Sequence, residues 1–337
     1  MSAATYAFAS DNTAPACPEA LEALIAHNGG PASGYGTDWV SAKAADAVRA
    51  FLDADADVRF VGSGTAANAV SCAALCRPFE AVAAHKHAHI LTDETGAPGY
   101  FGQGLGLIAL EGASGRIDPA ALDRTLAAPE SSYRQSPAAL SLTNATEYGT
   151  VYSEEEIRGL TRRAKSAGLG VHLDGARLAN AFASGFSPKA LKSLDIDILI
   201  IGGTKNGMTP TEAVVLFDKT LSRRFDARLK QAGQLPSKGR FYSAPWIGML
   251  ETGAFLSRAA HANAMAKRLA AAMPFKVRHP VEANGVFVEM EDAALARLAD
   301  EGFFVYRFTD GTVRFMCSWA TTEDEVDALL AALKKIF

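Results

Sequence analysis

Residues 168–207, GLGVHLDGARLANAFASGFSPKALKSLDIDILIIGGTKNG, decide the fold, because three charged side chains stand where two apolar runs end. Residues 170–173 (GVHL) and 196–201 (IDILII) are short and mostly apolar, the second rich in β-branched side chains. That is the pattern of strands buried on both faces of a parallel sheet. Asp174 closes the first run, Arg177 follows within one turn, and Lys205 comes after the second run by a Gly-Gly-Thr turn. Open α/β sheets place their sites outside the carboxyl ends of such strands. Opposite charges therefore approach from neighbouring strand ends across a gap the size of a small ligand.

A pyridine ring suits that gap. Pyridoxal phosphate needs a lysine to form an imine with its aldehyde and a carboxylate to keep its ring nitrogen protonated as an electron sink. Lys205 and Asp174 supply both, although at this spacing they also read as an ordinary surface ion pair. The phrases HLDGARLANA (172–181) and GGTKNG (202–207) together resemble the low-specificity L-threonine aldolases, in the β-eliminating lyase branch of the fold-type I pyridoxal-phosphate enzymes. The resemblance implies an α/β fold, aspartate aminotransferase-like, with a large domain on a mostly parallel sheet and a small C-terminal α/β domain. It also implies pyridoxal 5'-phosphate on Lys205, its ring nitrogen facing Asp174. The implied reaction is cleavage of L-threonine, L-allo-threonine or related L-β-hydroxy-α-amino acids such as phenylserine to glycine and an aldehyde.

Composition agrees with a soluble enzyme. The 337 residues leave room for one large domain or two, and 49% hydrophobic with 21% charged residues is the balance of a globular chain, not a disordered one. A net charge of −4 gives no pull toward nucleic acid or acidic membranes, so small molecules are the expected partners. The opening MSAATYAFASDNTAP lacks a basic stretch followed by an apolar core, and no run approaches the roughly 18–20 apolar residues of a membrane span; a cytoplasmic location is expected. Cys17, Cys72, Cys76 and Cys317 are too few and scattered for a disulfide framework or a zinc ribbon. Cys72 and Cys76 share a helix face among apolar neighbours and read as core.

Working outward, VRFVGSGTAANAVSCAALC (58–76) reads as strand, glycine turn and helix, with Gly62, Ser63, Gly64 and Thr65 at the helix entrance. Amides at a helix N-terminus attract a phosphate, and glycines let it come close. A dinucleotide fingerprint would want an acidic residue roughly 20 positions on, at the end of the next strand; here that strand ends in His85. SGTAAN (63–68) instead resembles the phosphate-binding phrase of the aldolases. In HKHAH (85–89), an extended chain would put His85, His87 and His89 on one face, a metal-site pattern. No acidic partner lies within the run, and the resemblance assigns it without a metal, so none is expected. The family phrase H-x-x-A-H-I implies that His89 stacks on the pyridoxal ring, while Lys86 and His87 stand where the family commonly has acids.

The remaining segments divide between turn chemistry and site chemistry. Phe8-Ala9-Ser10-Asp11-Asn12 reads as a turn or helix cap, and resembles the family's F-x-S-D-N, which implies Ser10 near the substrate carboxylate. Tyr35, between two glycines and resembling the family's Y-G-x-D, is expected at the active site or a subunit interface. A strand over 138–142 leads into Thr143-Asn144-Ala145-Thr146-Glu147, resembling L-T-Q-A-T-E. Asn144 is thereby implied to hydrogen-bond the cofactor's ring oxygen, and Glu147 is a site base or a turn acid. A strand over 213–217 and a basic helix over 219–230 precede AGQLPSK (232–238), where Lys230 and Lys238 are candidates to reach a neighbouring subunit's cofactor phosphate or else form a solvated basic face. A homodimer or homotetramer with shared sites is implied. One amphipathic helix over 246–273 would link a large domain (1–245) to a small one (274–337). Arg314 lies within the strand TVRFMCSW, where a buried unpaired arginine is costly and calls for an anion. In the family that anion is the substrate carboxylate, held bidentately.

The resemblance implies that Arg314 grips the carboxylate with Ser10 and Arg177, and that His89 is the leading base, with His85 and Glu147 as alternates. The Asp-Lys pair alone would equally serve transamination, β-elimination or a non-catalytic protein that binds the cofactor; aldehyde release from L-threonine separates these.

Overall fold

The structure, a computed structural model, describes residues 5–337; the first four residues of the stretch inspected for a targeting signal lie outside them. Its main sheet has seven strands: β1 (Asp57–Val61), β2 (Glu80–His85), β3 (Gly106–Leu110), β4 (Ser136–Thr143), β5 (Gly170–Gly175), β6 (Ile198–Gly202) and β7 (Glu212–Leu216). Their order is β1-β7-β6-β5-β4-β2-β3, with only β7 running antiparallel to its neighbours. Every residue of β6 and β7 is buried, as two-sided cover by helices requires. Alternate residues of β6 serve the two faces. Leu199 and Ile201 join the larger core with Leu140, Leu142 and Leu173, and Ile198 and Ile200 pack with Val61, Val214 and Phe225.

Helix starts in the sequence explain the crossovers. Ser63 caps Gly64–Leu75, Asp38 caps Trp39–Leu52, and Ser153 with Glu156 forms a capping box on Glu154–Ser166, the helix that carries the chain from β4 to β5. The turn after β6 is tight: Thr204–Asn206 is a single 3-10 turn closed by Gly207 at φ +86. Addition of a Cβ at Gly207 would meet the Trp319 ring at 2.7 Å, so both the positive φ and the close approach require glycine there.

The expected linking helix is two helices, not one. Arg240–Glu251 and Ala254–Ala271 are separated at Gly253, which adopts φ +76. A left-handed residue ends a helical run, and Thr252 helps by donating its hydroxyl to the Gly248 carbonyl at 2.7 Å. The second helix joins the two cores, placing Ala254, Phe255 and Ala259 in the larger and Met265, Ala266 and Leu269 in the smaller. The smaller core packs under a three-stranded antiparallel sheet, β8 (Gly285–Val288), β9 (Tyr306–Arg307) and β10 (Val313–Met316), ordered β8-β10-β9. The run FVYRF (304–308) pairs over only two residues before the Phe308–Gly311 turn takes the chain back.

The N-terminal segment laces the two cores together. Thr5 bridges Phe303, Phe8 is buried in the smaller core and accepts from the Met316 amide, and the Cys17 amide donates to Gly207. All four cysteines are buried and free. No helix among the described residues is long and apolar enough to cross a membrane.

Candidate active site

At the carboxyl ends of β4, β5 and β6, beside the start of the Gly64–Leu75 helix, the chain encloses a pocket lined by Gly64, His89, Glu147, Asp174, Arg177 and Lys205. Asp174, near the end of β5, is buried at 4% exposure and accepts from Asn68 Nδ2 at 2.8 Å and from the Ala176 amide at 2.9 Å. Burial alone would raise its pKa; the nearby His172 and Lys205 and these hydrogen bonds outweigh it, and the carboxyl stays below its ordinary value. His172 lies behind it in the same strand, buried, bonded to Ser141 at 2.9 Å and pushed down to about 4 by desolvation.

Lys205 enters from the adjacent strand end and has no ion pair or side-chain hydrogen bond among the described residues. Desolvation, reinforced by Arg177, holds its pKa below the usual lysine value, which favours the neutral, nucleophilic amine. Glu212 sits behind the turn, its Oε2 accepting from the Gly203 amide at 2.8 Å, and burial pushes it up to about 7.

Glu147 is likewise pushed up to about 7, by burial and then by the charge of Asp174. Its Oε1 accepts from the His89 amide and the Thr143 hydroxyl, both at 3.0 Å, and its buried Oε2 has no partner. The folded state thus holds this proton more tightly than the unfolded chain does. The resulting stabilisation is complete below the ordinary carboxylate pKa and is lost as pH rises through about 7. Cofactor-free protein should therefore melt lower at about pH 8 than at about pH 6, and Glu147→Gln, always neutral, should reduce that difference. Differential scanning fluorimetry at the two pH values decides it; an unchanged difference in the variant would mean that Glu147 is ionised throughout.

His89 begins the short His89–Thr92 helix and bonds through Nδ1 to Glu94 Oε1 at 2.8 Å. That hydrogen bond raises its pKa against the opposing effect of burial. The other two histidines turn elsewhere. His85 Nε2 meets the Gly112 carbonyl at 3.2 Å, and its Nδ1 accepts from the His87 amide at 3.2 Å. Both of its nitrogens are engaged outside the pocket, so it is not placed to act as the base. His87 bonds to Tyr148 and Lys86 pairs with Glu111 at 2.7 Å, so the charge departure noted at these positions faces away from the pocket. The extended single-face arrangement fails because the strand ends at His85.

At the opposite wall Arg177 closes on Asp11 through two bonds, Nε to Oδ2 at 2.7 Å and Nη2 to Oδ1 at 2.8 Å. Burial would raise Asp11, but the arginine overrides it and holds the carboxyl at about 2. Arg177, expected beside the substrate carboxylate, is thus already matched with a carboxylate of its own chain. Arg314 is the unmatched one: 9% exposed, it donates through Nη2 to the Ala9 carbonyl at 3.3 Å and to Tyr306, and its Nε is buried without a partner. Tyr306 and Phe308 rings flank the guanidinium at 4.8 and 5.1 Å, and burial lowers its pKa to about 10. Ser10 adjoins this group, capping its own turn by accepting from Asn12 at 3.2 Å.

Other expected residues are placed differently. Asn144 does not line the pocket, whereas Ala145 does; its Oδ1 accepts from the Tyr152 amide at 3.1 Å, and its buried Nδ2 has no partner among the described residues. Ser63 caps its helix by accepting from Ala66 at 3.2 Å, ahead of Gly64 and Thr65, and a Cβ at Gly64 would meet nothing, leaving the helix entrance open. Tyr35 (φ +59, 51% exposed) and Lys230 meet on the outer surface, the ammonium 4.2 Å from the ring centroid, and Lys238 is exposed nearby. Neither lysine lines the pocket of its own chain, although Gln234 in the same loop accepts from the Gly62 amide at 2.8 Å.

Four buried site residues escape the motif reading: Asp11, Asn68, Glu94 and Glu212. Asn68 closes the quoted phrase SGTAAN, and its position one helical turn inside the entrance, on the face shared with Gly64, is the signal that could have found it.

The site accommodates pyridoxal phosphate on its own terms. A desolvated lysine without a partner, an ionised buried carboxylate on the adjacent strand, an imidazole at the rim and an open helix N-terminus are the donor set that such a cofactor uses.

The beta-eliminating lyase family pattern matches residues 7–293. Two curated relatives, each named low specificity L-threonine aldolase, are 41% identical to the chain: one from Pseudomonas sp. (strain NCIMB 10558), with 98% of this chain and 97% of the relative covered, and one from Pseudomonas aeruginosa, with 98% of each covered. The solved structure of Leishmania major threonine aldolase superposes with a TM-score of 0.92 at 31% identity, covering 98% of this chain and 99% of that one. Aspartate aminotransferase from Thermus thermophilus, 16% identical, shares the fold with a TM-score of 0.72 over 96% of this chain and 89% of its own.

Proposed function

The chain belongs to the beta-eliminating lyase family, and from that premise we propose that it is a pyridoxal-phosphate-dependent aldolase cleaving L-threonine to glycine and acetaldehyde. The observation that carries the reading is the pairing of Lys205 with Asp174 at adjacent strand ends in one pocket under His89. L-allo-threonine and aryl analogues such as phenylserine complete the proposed substrate range. The test is aldehyde release from L-threonine by the purified, cofactor-loaded enzyme; keto acid or ammonia without aldehyde would overturn the assignment.

When bound, the cofactor supplies an aldehyde that joins an amino group and a protonated ring that takes up the electron pair left on Cα. Lys205 Nζ would hold it, Asp174 would keep the proton on its ring nitrogen, His89 would cover the ring, and the helix entrance at Ser63, Gly64 and Thr65 would take its phosphate. Arg314, the guanidinium without an acid, binds the substrate carboxylate beside Ser10, while Asp11 and Arg177 hold that wall in place. His89 has Nδ1 committed to Glu94, leaving Nε2 to take the β-hydroxyl proton. Glu147, pushed up to about 7, holds its proton below neutrality and there adds no second charge beside Asp174.

His89→Phe preserves an aromatic face and removes the titratable nitrogens. It should bind cofactor yet lower threonine turnover by a factor on the order of 10² or more, the scale of a lost general base. Wild-type turnover in that variant would transfer the role to Glu147 or to water.

We further assign the protein to the cytoplasm and to a homodimer or homotetramer in which Lys230 and Lys238, with Tyr35, reach the partner's phosphate. The support is the exposure of both lysines and the meeting of Lys230 with Tyr35 on one outer surface. Mixing Lys205→Ala chains with chains carrying Lys230→Ala and Lys238→Ala tests this, provided each parent is inactive. Random exchange makes half the dimers hybrids with one intact site each, restoring roughly a quarter of wild-type activity. Verified hybrids without recovery would confine the basic loop to its own chain.

A further inference from the structure

Behind the pocket wall lies a carboxylate that the mechanism above names only as the partner of His89 Nδ1. Glu94 is 4% exposed, and its Oε1 accepts two bonds of 2.8 Å, from His89 Nδ1 and from Asn68 Nδ2. The same Asn68 nitrogen donates to Asp174 Oδ2, again at 2.8 Å. We propose that Glu94 is a positioning residue that fixes the tautomer and proton affinity of His89 and, through Asn68, couples that imidazole to the Asp174 carboxylate.

The donor count supports the linkage. An amide nitrogen carries two hydrogens, and Asn68 spends both on acids, so the amide has one workable orientation: reversed, its oxygen would face two carboxylates. Its Oδ1 is buried without a partner, which is tolerated only because the nitrogen side is so strongly held. Glu94 Oε1 likewise requires the hydrogen of His89 on Nδ1, which leaves Nε2 as the nitrogen that faces a substrate. Glu94 Oε2 is buried with no partner, so a full charge on Glu94 is costly unless the neighbouring imidazole shares it. Burial accordingly pushes the carboxyl up while the hydrogen bond raises His89. The other charged groups acting on His89 are Asp174 from β5, which favours its protonated form, and Lys205 from the turn after β6, which opposes it; Glu147 engages the His89 backbone amide. Among the described residues only Glu94 bonds to the ring itself.

This inference rests on the aldolase reading for the purpose of His89, but its test does not. In full-length protein prepared without cofactor, the His89 ring resonance, identified by its loss in His89→Phe, should titrate at least about one unit lower in Glu94→Gln than in wild type, a tenfold fall in proton affinity. In loaded enzyme the acid limb of kcat/KM for threonine should move to lower pH in the same variant, a displacement that a purely structural role for Glu94 would not produce. Should Glu94→Gln fail to fold, Glu94→Asp replaces it, with a shift of the same sign and smaller size expected as the carboxylate withdraws by one methylene. An unshifted His89 titration in a folded variant overturns the proposal, whatever the enzyme does with threonine. Absence of threonine cleavage in wild type would sink the aldolase reading and leave the titration result standing.

Discussion

Lys205→Ala should lose threonine cleavage by a factor on the order of 10⁴ or more, the scale on which a missing nucleophile is felt, together with any borohydride-reducible bond between protein and cofactor. The substitution is informative because Lys205 contributes little to holding the fold. It forms no ion pair among the described residues, and removing it relieves the cost of burying its charge. The variant should therefore melt at or above the wild-type temperature while inactive. Retention of a reducible linkage in Lys205→Ala, mapped by peptide mass after reduction, would show that another lysine carries the cofactor.

Asp174→Asn is the second large effect, with an expected loss on the order of 10³ in kcat, comparable to removing a preorganised electrostatic stabiliser. Asparagine has the same shape but one acceptor oxygen where the native carboxylate uses two, Oδ2 for Asn68 at 2.8 Å and Oδ1 for the Ala176 amide at 2.9 Å, so it keeps one of the two bonds. It cannot supply the negative charge that keeps a ring nitrogen protonated. Cofactor occupancy and circular dichroism should stay near wild type, so that the loss falls on turnover. Undiminished activity in a loaded Asp174→Asn enzyme would remove the electron-sink role from this residue.

Sequence and structure agree where chemistry is written in consecutive residues. The phrase around Asp174 and the one around Lys205 each combine a buried strand with its terminal turn, so periodicity located the strands to within a few residues and the motif located the site. The parallel sheet followed from the same runs. Distant partners were not legible in this way. Asp11 is read from its neighbours as a turn acid, and nothing within ten residues announces that it closes on Arg177. Glu94 lies five residues beyond His89, at a spacing that shows a partnership only once the short helix between them is formed. Asn144 is a partial case: its motif neighbours Thr143 and Ala145 line the pocket, while its own Oδ1 accepts from the Tyr152 amide. The broken linking helix had a local signal in Thr252-Gly253, outweighed by apolar periodicity that continues on both sides of the break.

The lacing of the N-terminal segment across both cores has a consequence for synthesis. Ala9 and Arg314, bonded in the finished enzyme, are 305 residues apart along the chain. Phe8 cannot find its packing partners until β10 and the Glu323–Ile336 helix exist. A chain still on the ribosome can form much of the seven-stranded sheet, but the wall around Arg314 waits for β10 to emerge. Until then Asp11, the partner of Arg177, sits on a segment whose hold on the smaller core is not yet made. Nascent chains of this protein can thus build the main sheet before the wall around Arg314 closes.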